Sequence, residues 1–433
     1  MRQLRVLVTM FQGGGNIPLL LPIVTRLVER GHHVRFMIGP GVRASRLPIS
    51  EYLDQSLRRT GAPVMWLPAP DVHPLDGSRP ACGVVLGWVP RAFRTVAAEA
   101  LVARWIPCWA DEVASELERA SADVVVADFN LVGALVAAEA ASIPSVALVH
   151  NVYRGPVRGR PPWGPGWRRS GSAASRLRDA CGRLVSRRIH RRDALPFLNG
   201  ARGQLGLCPV RHYADQDAAT SRILVLTSPV FDAPEGFPTN VRLIGTPLDD
   251  VTPAGPPRAT TLIRDGRPLV LVSLSTLEQG QAQLMQRILT ALSTMPIRGL
   301  VTLGPALHSR PFDAPDNVML ETFLPHHSVL PHAAAIISQC GLGTVMKALA
   351  RGVPLVCIPL VGDQPENAAR VEALGAGVRL PPHANVSRIR DAIARVLNER
   401  AFRVAAQRVA TAIAGEDPVH GAVVEIESIA RPR

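Results

Sequence analysis

Lysine is almost absent from this chain. Of 48 basic residues in 433, Lys347 alone is a lysine and the other 47 are arginine; set against 35 acids they leave a net charge of +13. Such a bias fits the coding composition of the source as readily as a patch that binds polyanions. Aromatic residues are scarce as well, at 4%. None interleaves with arginine as a stacking platform for bases would, which argues against nucleic acid as a partner. The surplus charge is local: the segment 154–192 holds 12 arginines and one acid, Asp179. A solvated face, an anionic acceptor or a peripheral membrane surface would each suit it. No run of 18 apolar residues occurs, so no membrane span is expected. The opening MRQLRVLVTM lacks a cleavage pattern and reads as a strand, not a signal peptide. The six cysteines show no CxxC spacing, which suggests reduced thiols in a cytoplasmic protein and no metal site. What is abundant is apolar content, 47%, over a length that calls for two domains.

Arg5 to Met10 reads as a buried parallel strand, FQGGGN as a turn, and Leu19, Leu20, Ile23, Leu27 and Val28 as one face of a helix stopped at Gly31. His33 to Ile38 is the next strand, completing a β-α-β unit of Rossmann type. Alternation continues through a long helical pattern at 92–119, strands at 123–128 and 145–149, and closing strands at 223–227 and 241–244. Residues 153–175, rich in Gly, Pro, Trp and Arg, read as a mobile loop ahead of an arginine-rich helix. A proline-rich stretch, 246–260, reads as a linker. A second alternating series starts at Leu269. The expectation is an α/β protein with an N-terminal domain at 1–245 carrying an insertion at 153–192. A second domain at 261–415 and a tail helix at 416–433 that packs back on the first domain complete it.

The strand AAIIS ends in Gln339-Cys340-Gly341-Leu342-Gly343-Thr344, a glycine turn that opens into a helix. Free N–H groups at such a helix start suit phosphate. The sequel 330–380 carries PHA, GLGT, GVP, DQPENA and LGAG in that order. This resembles the donor-binding signature of family 1 nucleotide-sugar glycosyltransferases of GT-B fold, the bacterial antibiotic and macrolide enzymes in particular. The N-terminal QGGGNIPLLLPIVTRLVERGHHV resembles that family's first turn, and the likeness covers essentially the whole chain except 153–192.

The resemblance implies two Rossmann-like domains facing each other across a cleft. It also implies an inverting transfer of a sugar from a nucleoside diphosphate (UDP or dTDP) to a small, partly apolar natural product or lipid, with no cofactor. Ser275, Thr276, Gly341, Gly343 and Thr344 fall where the family holds the diphosphate, Phe323 and Leu324 where it stacks the base, and Asp363 and Gln364 where it grips sugar hydroxyls. Three departures stand out. Gln339 replaces the usual histidine, and Lys347 replaces a glutamate that accepts from the ribose; lysine cannot accept. Gly15, with Asn16 beside it, occupies the place of the general base, and neither takes a proton at neutral pH. Asn16 is left to position the acceptor. Asp128 is the first candidate substitute base, with His73 and His150 as further candidates that would also line the acceptor. A competing expectation is a binding protein that kept the fold and lost the base.

Overall fold

A computed structural model describes residues 2–11, 17–39, 61–67, 89–248, 266–274 and 279–430. Two all-parallel sheets carry the chain. The first contains β1 (Arg5–Phe11), β2 (His33–Gly39), β3 (Val64–Trp66), β4 (Val124–Asp128), β5 (Ser145–Val149), β6 (Arg222–Val225) and β7 (Val241–Leu243), in the order β3-β2-β1-β4-β5-β6-β7. The second contains β8 (Leu269–Ser273), β9 (Arg298–Thr302), β10 (Val318–Glu321), β11 (Ala333–Ser338), β12 (Leu355–Cys357) and β13 (Gly377–Arg379), in the order β10-β9-β8-β11-β12-β13. Both orders reverse at the first strand, and that switch point is where ligands of such sheets bind.

The central strands β4, β5 and β8 are buried on both faces, so their apolar runs are continuous, with successive side chains entering opposite cores. Val6, Val8 and Met10 of β1 join the core under α1 (Ile17–Glu29), whereas Leu7 and Phe11 join the core on the opposite face. In β8, Val270 and Val272 pack to one side and Leu269 and Leu271 to the other. Helix α1 ends where Gly31 turns to φ +83° and His32 N–H reaches back to Leu27 O, the six-to-one bond of a Schellman stop.

The helical pattern at 92–119 is two helices, α2 (Arg94–Val102) and α3 (Ile106–Arg119), broken by a tight turn at Ala103–Trp105. Pro107 in the first turn of α3 has no N–H to continue α2 through that point. Then follow α4 (Val132–Ala140), the arginine-rich α5 (Ala173–Asp193) and α6 (Leu195–Gln204). Helix α6 escapes sequence reading because Gly200 and Gly203 depress its propensity; buried Leu198 and Ala201 hold it by packing. The second sheet is flanked by α7 (Ala282–Leu292), α8 (Leu342–Ala350), α9 (Gln364–Ala373), α10 (Val386–Asn398) and α11 (Arg400–Ile413). The last helix, α12 (Pro418–Ile429), crosses back to α1, where Glu427 meets Arg30 at 2.8 Å and His32 at 2.9 Å. Among the described residues no helix is long and apolar enough to cross a membrane.

The segment 153–172, expected to be mobile, is tied down as a strap between the two sheets' domains. The N–H groups of Gly164 and Gly166 both donate to Glu366 Oε1 of α9 at 2.9 Å, and Arg379 donates to Gly166 O at 2.6 Å. Gly166 sits at φ +61°, and a Cβ there would lie 2.3 Å from Pro365 O. Buried Asp232 receives Arg160 of the strap at 2.8 Å and Arg370 of α9 at 3.0 Å. Most of the proline-rich stretch 246–260 lies outside the described residues; its first residue, Thr246, is buried and donates to Leu226 O.

Candidate active site

The carboxyl ends of β4 and β5 lie side by side and bring Asp128 and His150 together. Asp128 is buried, accepts from Asn130 N–H and Nδ2 at 2.9 and 3.1 Å, and has Oδ2 3.4 Å from His150 Nε2. The imidazole packs edge-on against Phe129, with ring centres 4.6 Å apart. Asn151, with its amide turned to satisfy both neighbours, donates to Asp363 Oδ2 at 3.2 Å and to His150 O at 3.0 Å. One hydrogen bond therefore joins the first sheet's edge to the second.

Across that junction stands the glycine turn. Gly341 caps α8, and a Cβ on Gly343 would meet only Leu19 of α1, at 3.9 Å. Cys340 adopts φ +71°, a conformation that costs a non-glycine residue about 1–3 kcal/mol. It is pinned from both ends: Ser338 Oγ accepts its N–H at 3.0 Å and Asn367 Nδ2 donates to its carbonyl at 2.9 Å. Asn367 also donates to Asp363 Oδ2 at 2.6 Å. Burial raises the Asp363 carboxyl above its usual range. Asn367, His150 and the N–H groups of Asp363 and Leu342 partly offset the shift, so the carboxylate faces the positive start of α8. Gln339 is buried, its Oε1 3.5 Å from Ser338 Oγ. Thr344 and Lys347 follow on the first two turns, both half-buried.

The Gln364 side chain is spent on the fold rather than left free for a sugar. Its Oε1 accepts from the N–H groups of Leu360 and Val361 at 2.8 and 3.0 Å, which shapes the loop carrying Asp363. Its Nε2 reaches Gln279. Phe323 is 63% exposed, while Leu324 beside it is buried. Gly15, Asn16, His73, Ser275 and Thr276 lie outside the described residues.

A cavity of about 380 Å³ opens in the first domain beside the His150 wall. Its lining includes Glu99, Phe129, Arg154, Trp163, Tyr213 and Asp217. Arg154 stacks on Phe129 at 3.7 Å and pairs with Glu99 at 2.9 Å. Burial lifts Glu99 to about 7 despite that arginine, and lifts Asp217 to about 6. Burial likewise depresses His190 to about 4. By area the cavity wall is mainly apolar, but six arginines and three acids also line it, which suits a small molecule that carries polar groups on an apolar body. Phe129 and Asn130 were within reach of sequence reasoning, because they follow Asp128 at a strand's carboxyl end. Glu99 was not, since it sits on a helix face whose polar residues read as solvated.

Comparison with known proteins agrees with this arrangement. Residues 287–427 match the family model described as erythromycin biosynthesis protein CIII-like, C-terminal domain. The chain is 31% identical over 438 residues to 4'-demethylrebeccamycin synthase of Lentzea aerocolonigenes, covering 98% of this chain and 99% of that one. It is 35% identical over 165 residues, 37% of each chain, to aklavinone 7-beta-L-rhodosaminyltransferase of Streptomyces galilaeus. In fold it is similar to the calicheamicin glycosyltransferase CalG4, with a TM-score of 0.71 at 23% identity over 99% and 98% of the two chains. It is also similar to the glycosyltransferase VinC solved with dTDP, with a TM-score of 0.69 at 20% identity over 98% and 99%. Two doubly wound domains, the glycine turn at the start of α8 and a full-length relative at this identity lead to one conclusion: the chain belongs to the antibiotic glycosyltransferases of GT-B fold.

Proposed function

We propose that the chain transfers a sugar, with inversion, from a thymidine or uridine diphosphate to a small, largely apolar natural product. The observation that carries this reading is the junction of His150, Asn151 and Asp363: His150 packs on Phe129 of the cavity wall, and Asn151 joins it to Asp363, which accepts from Leu342 N–H at the start of α8. The diphosphate would rest on the N–H groups of Gly341, Gly343 and Thr344, helped by the Gln339 amide. The exposed Phe323 ring, beside Leu324, would stack the base. Asp363 would leave Leu342 N–H to the phosphate and accept from sugar hydroxyls, while Gln364 keeps its loop in shape. Ser275 and Thr276 would complete the phosphate contacts.

His150 is the residue best placed to receive the proton. Its Nε2 lies 3.4 Å from both Asp128 Oδ2 and Asn130 Nδ2, so these two side chains hold the ring from one side. Asp128, fully enclosed, then acts behind the histidine as its positioning residue, a different role from that of the base itself. The acceptor oxygen or nitrogen attacks the anomeric carbon as the bond to the diphosphate breaks. Its proton passes to His150, and the helix start stabilises the leaving charge. Gly15 then needs no base function, and Asn16 orients the acceptor.

The test is to incubate the protein with UDP- and dTDP-sugars and a panel of apolar acceptors and follow transfer and donor hydrolysis by mass spectrometry. Asp363→Ala should abolish donor turnover. His150→Ala should lower kcat about 10²–10⁴-fold, and imidazole should restore part of it. Asp128→Asn should lower kcat by less than His150→Ala does, with imidazole giving no rescue. Binding of donors without turnover of any of them would instead favour a binding protein that has lost catalysis.

A further inference from the structure

The two most exposed large apolar side chains among the described residues are Leu177 and Leu184, at 67% and 65%, and both belong to α5. They lie seven residues apart, two turns of one helical face, with exposed Cys181 between them. The opposite face of the helix is the buried one, through Asp179, Gly182 and Ile189. Exposed arginines flank the apolar stripe: Arg176 beside Leu177, Arg187 and Arg188 beside Leu184, and Arg191 and Arg192 a turn further on. The two acids of the helix are already engaged, Asp179 by Arg178 at 2.7 Å and Asp193 by Arg192 at 3.6 Å. Arg187, Arg188 and Arg191 have no hydrogen-bond or ion-pair partner among the described residues. Helix α5 is thus a rod of about 32 Å, at 1.5 Å for each of its 21 residues, that presents leucines to the outside and a cationic margin around them.

We propose that this face docks the protein on an anionic membrane surface, with α5 lying in the plane of the interface. A cluster of arginines beside isolated apolar anchors is the chemistry that recognises acidic headgroups. The leucines enter the interfacial region while the guanidinium groups pair with phosphates, and the contact is peripheral and reversible. The same helix walls the cavity: Arg183, Arg187, His190 and Arg191 all line it. A docked enzyme would therefore hold the α5 wall of its cavity close to apolar molecules dissolved in the bilayer. The docking itself does not depend on the transfer chemistry.

The experiment is cosedimentation of the full chain with vesicles of phosphatidylcholine alone and with about one third phosphatidylglycerol, at low and high salt. Binding is expected to the anionic vesicles only, and to fall at least tenfold at 0.5 M salt. Leu177→Gln with Leu184→Gln, both at exposed positions, should weaken it at least tenfold, as should Arg188→Glu, with the melting temperature unchanged. The proposal is overturned if the wild-type chain does not pellet with anionic vesicles, or if the leucine pair leaves binding intact. It is also overturned if light scattering shows that the leucine variant only converts a dimer to a monomer. Donor hydrolysis in solution, read separately, stays at the wild-type rate in these variants.

Discussion

Glu366 gives the sharpest prediction about how the two domains are held. It is 6% exposed, and one carboxylate oxygen accepts two backbone N–H groups from the strap while the other meets Arg370 at 3.0 Å. In Glu366→Ala the N–H groups of Gly164 and Gly166 are left buried without acceptors. At about 1–3 kcal/mol for each orphaned donor, the loss is about 4 kcal/mol. Arg370 adds little, because Asp232 still holds it. Glu366→Gln keeps an oxygen for both N–H groups but turns its NH2 toward the Arg370 guanidinium, donor to donor, so its cost should be about 1–3 kcal/mol and below that of alanine. Urea unfolding followed by tryptophan fluorescence measures both, since Trp163 and Trp167 bracket the contact. Trypsin, with targets at Arg158, Arg168 and Arg169, should cut the alanine variant faster than wild type. If alanine costs less than about 1 kcal/mol and the tryptic rate is unchanged, the strap is not held as argued.

Three further outcomes follow from particular residues. Gly166→Ala places a Cβ against Pro365 O at a left-handed φ, and should destabilise by about 2 kcal/mol or more in the same unfolding assay. Glu99 is raised from 4.5 to about 7. The folded protein therefore holds a proton that the unfolded chain has released, and stability should fall as pH rises through that window. At about 1.4 kcal/mol per unit the loss is about 3 kcal/mol, and Glu99→Gln should flatten that part of the pH–stability curve. Phe323→Ala, at an exposed site, should leave stability within about 0.5 kcal/mol yet raise the donor KM roughly 5- to 100-fold if the ring stacks the base.

Most of the scaffold was legible because it is locally encoded. The β1–α1–β2 unit shows in an apolar run, a glycine turn and a 3.6-residue stripe, all within 35 residues. The start of α8 was legible because its turn is a contiguous motif. What escaped depends on residues far apart in sequence. Glu366 and Gly164 are 202 positions apart, and nothing at either end marks the other. Glycine and proline in 153–172 read as slack, yet Gly164 and Gly166 are there because the backbone must pass close to Val96 and Pro365. Asp128 and His150 both stand out in the sequence, but as rivals. Only the pairing of β4 with β5 shows that they touch.

The strap also bears on how such enzymes can be recombined. Exchange of whole C-terminal domains between relatives assumes that the seam runs through the linker alone. In this chain part of the first domain's cavity wall is fastened to the second domain, through Glu366 and Arg370 of α9 and Arg379 at the end of β13. A chimera cut at the linker would inherit a new second domain and lose the clasp that shapes the cavity of its first. The transplantable unit therefore has to include the strap or its three partners on the second domain.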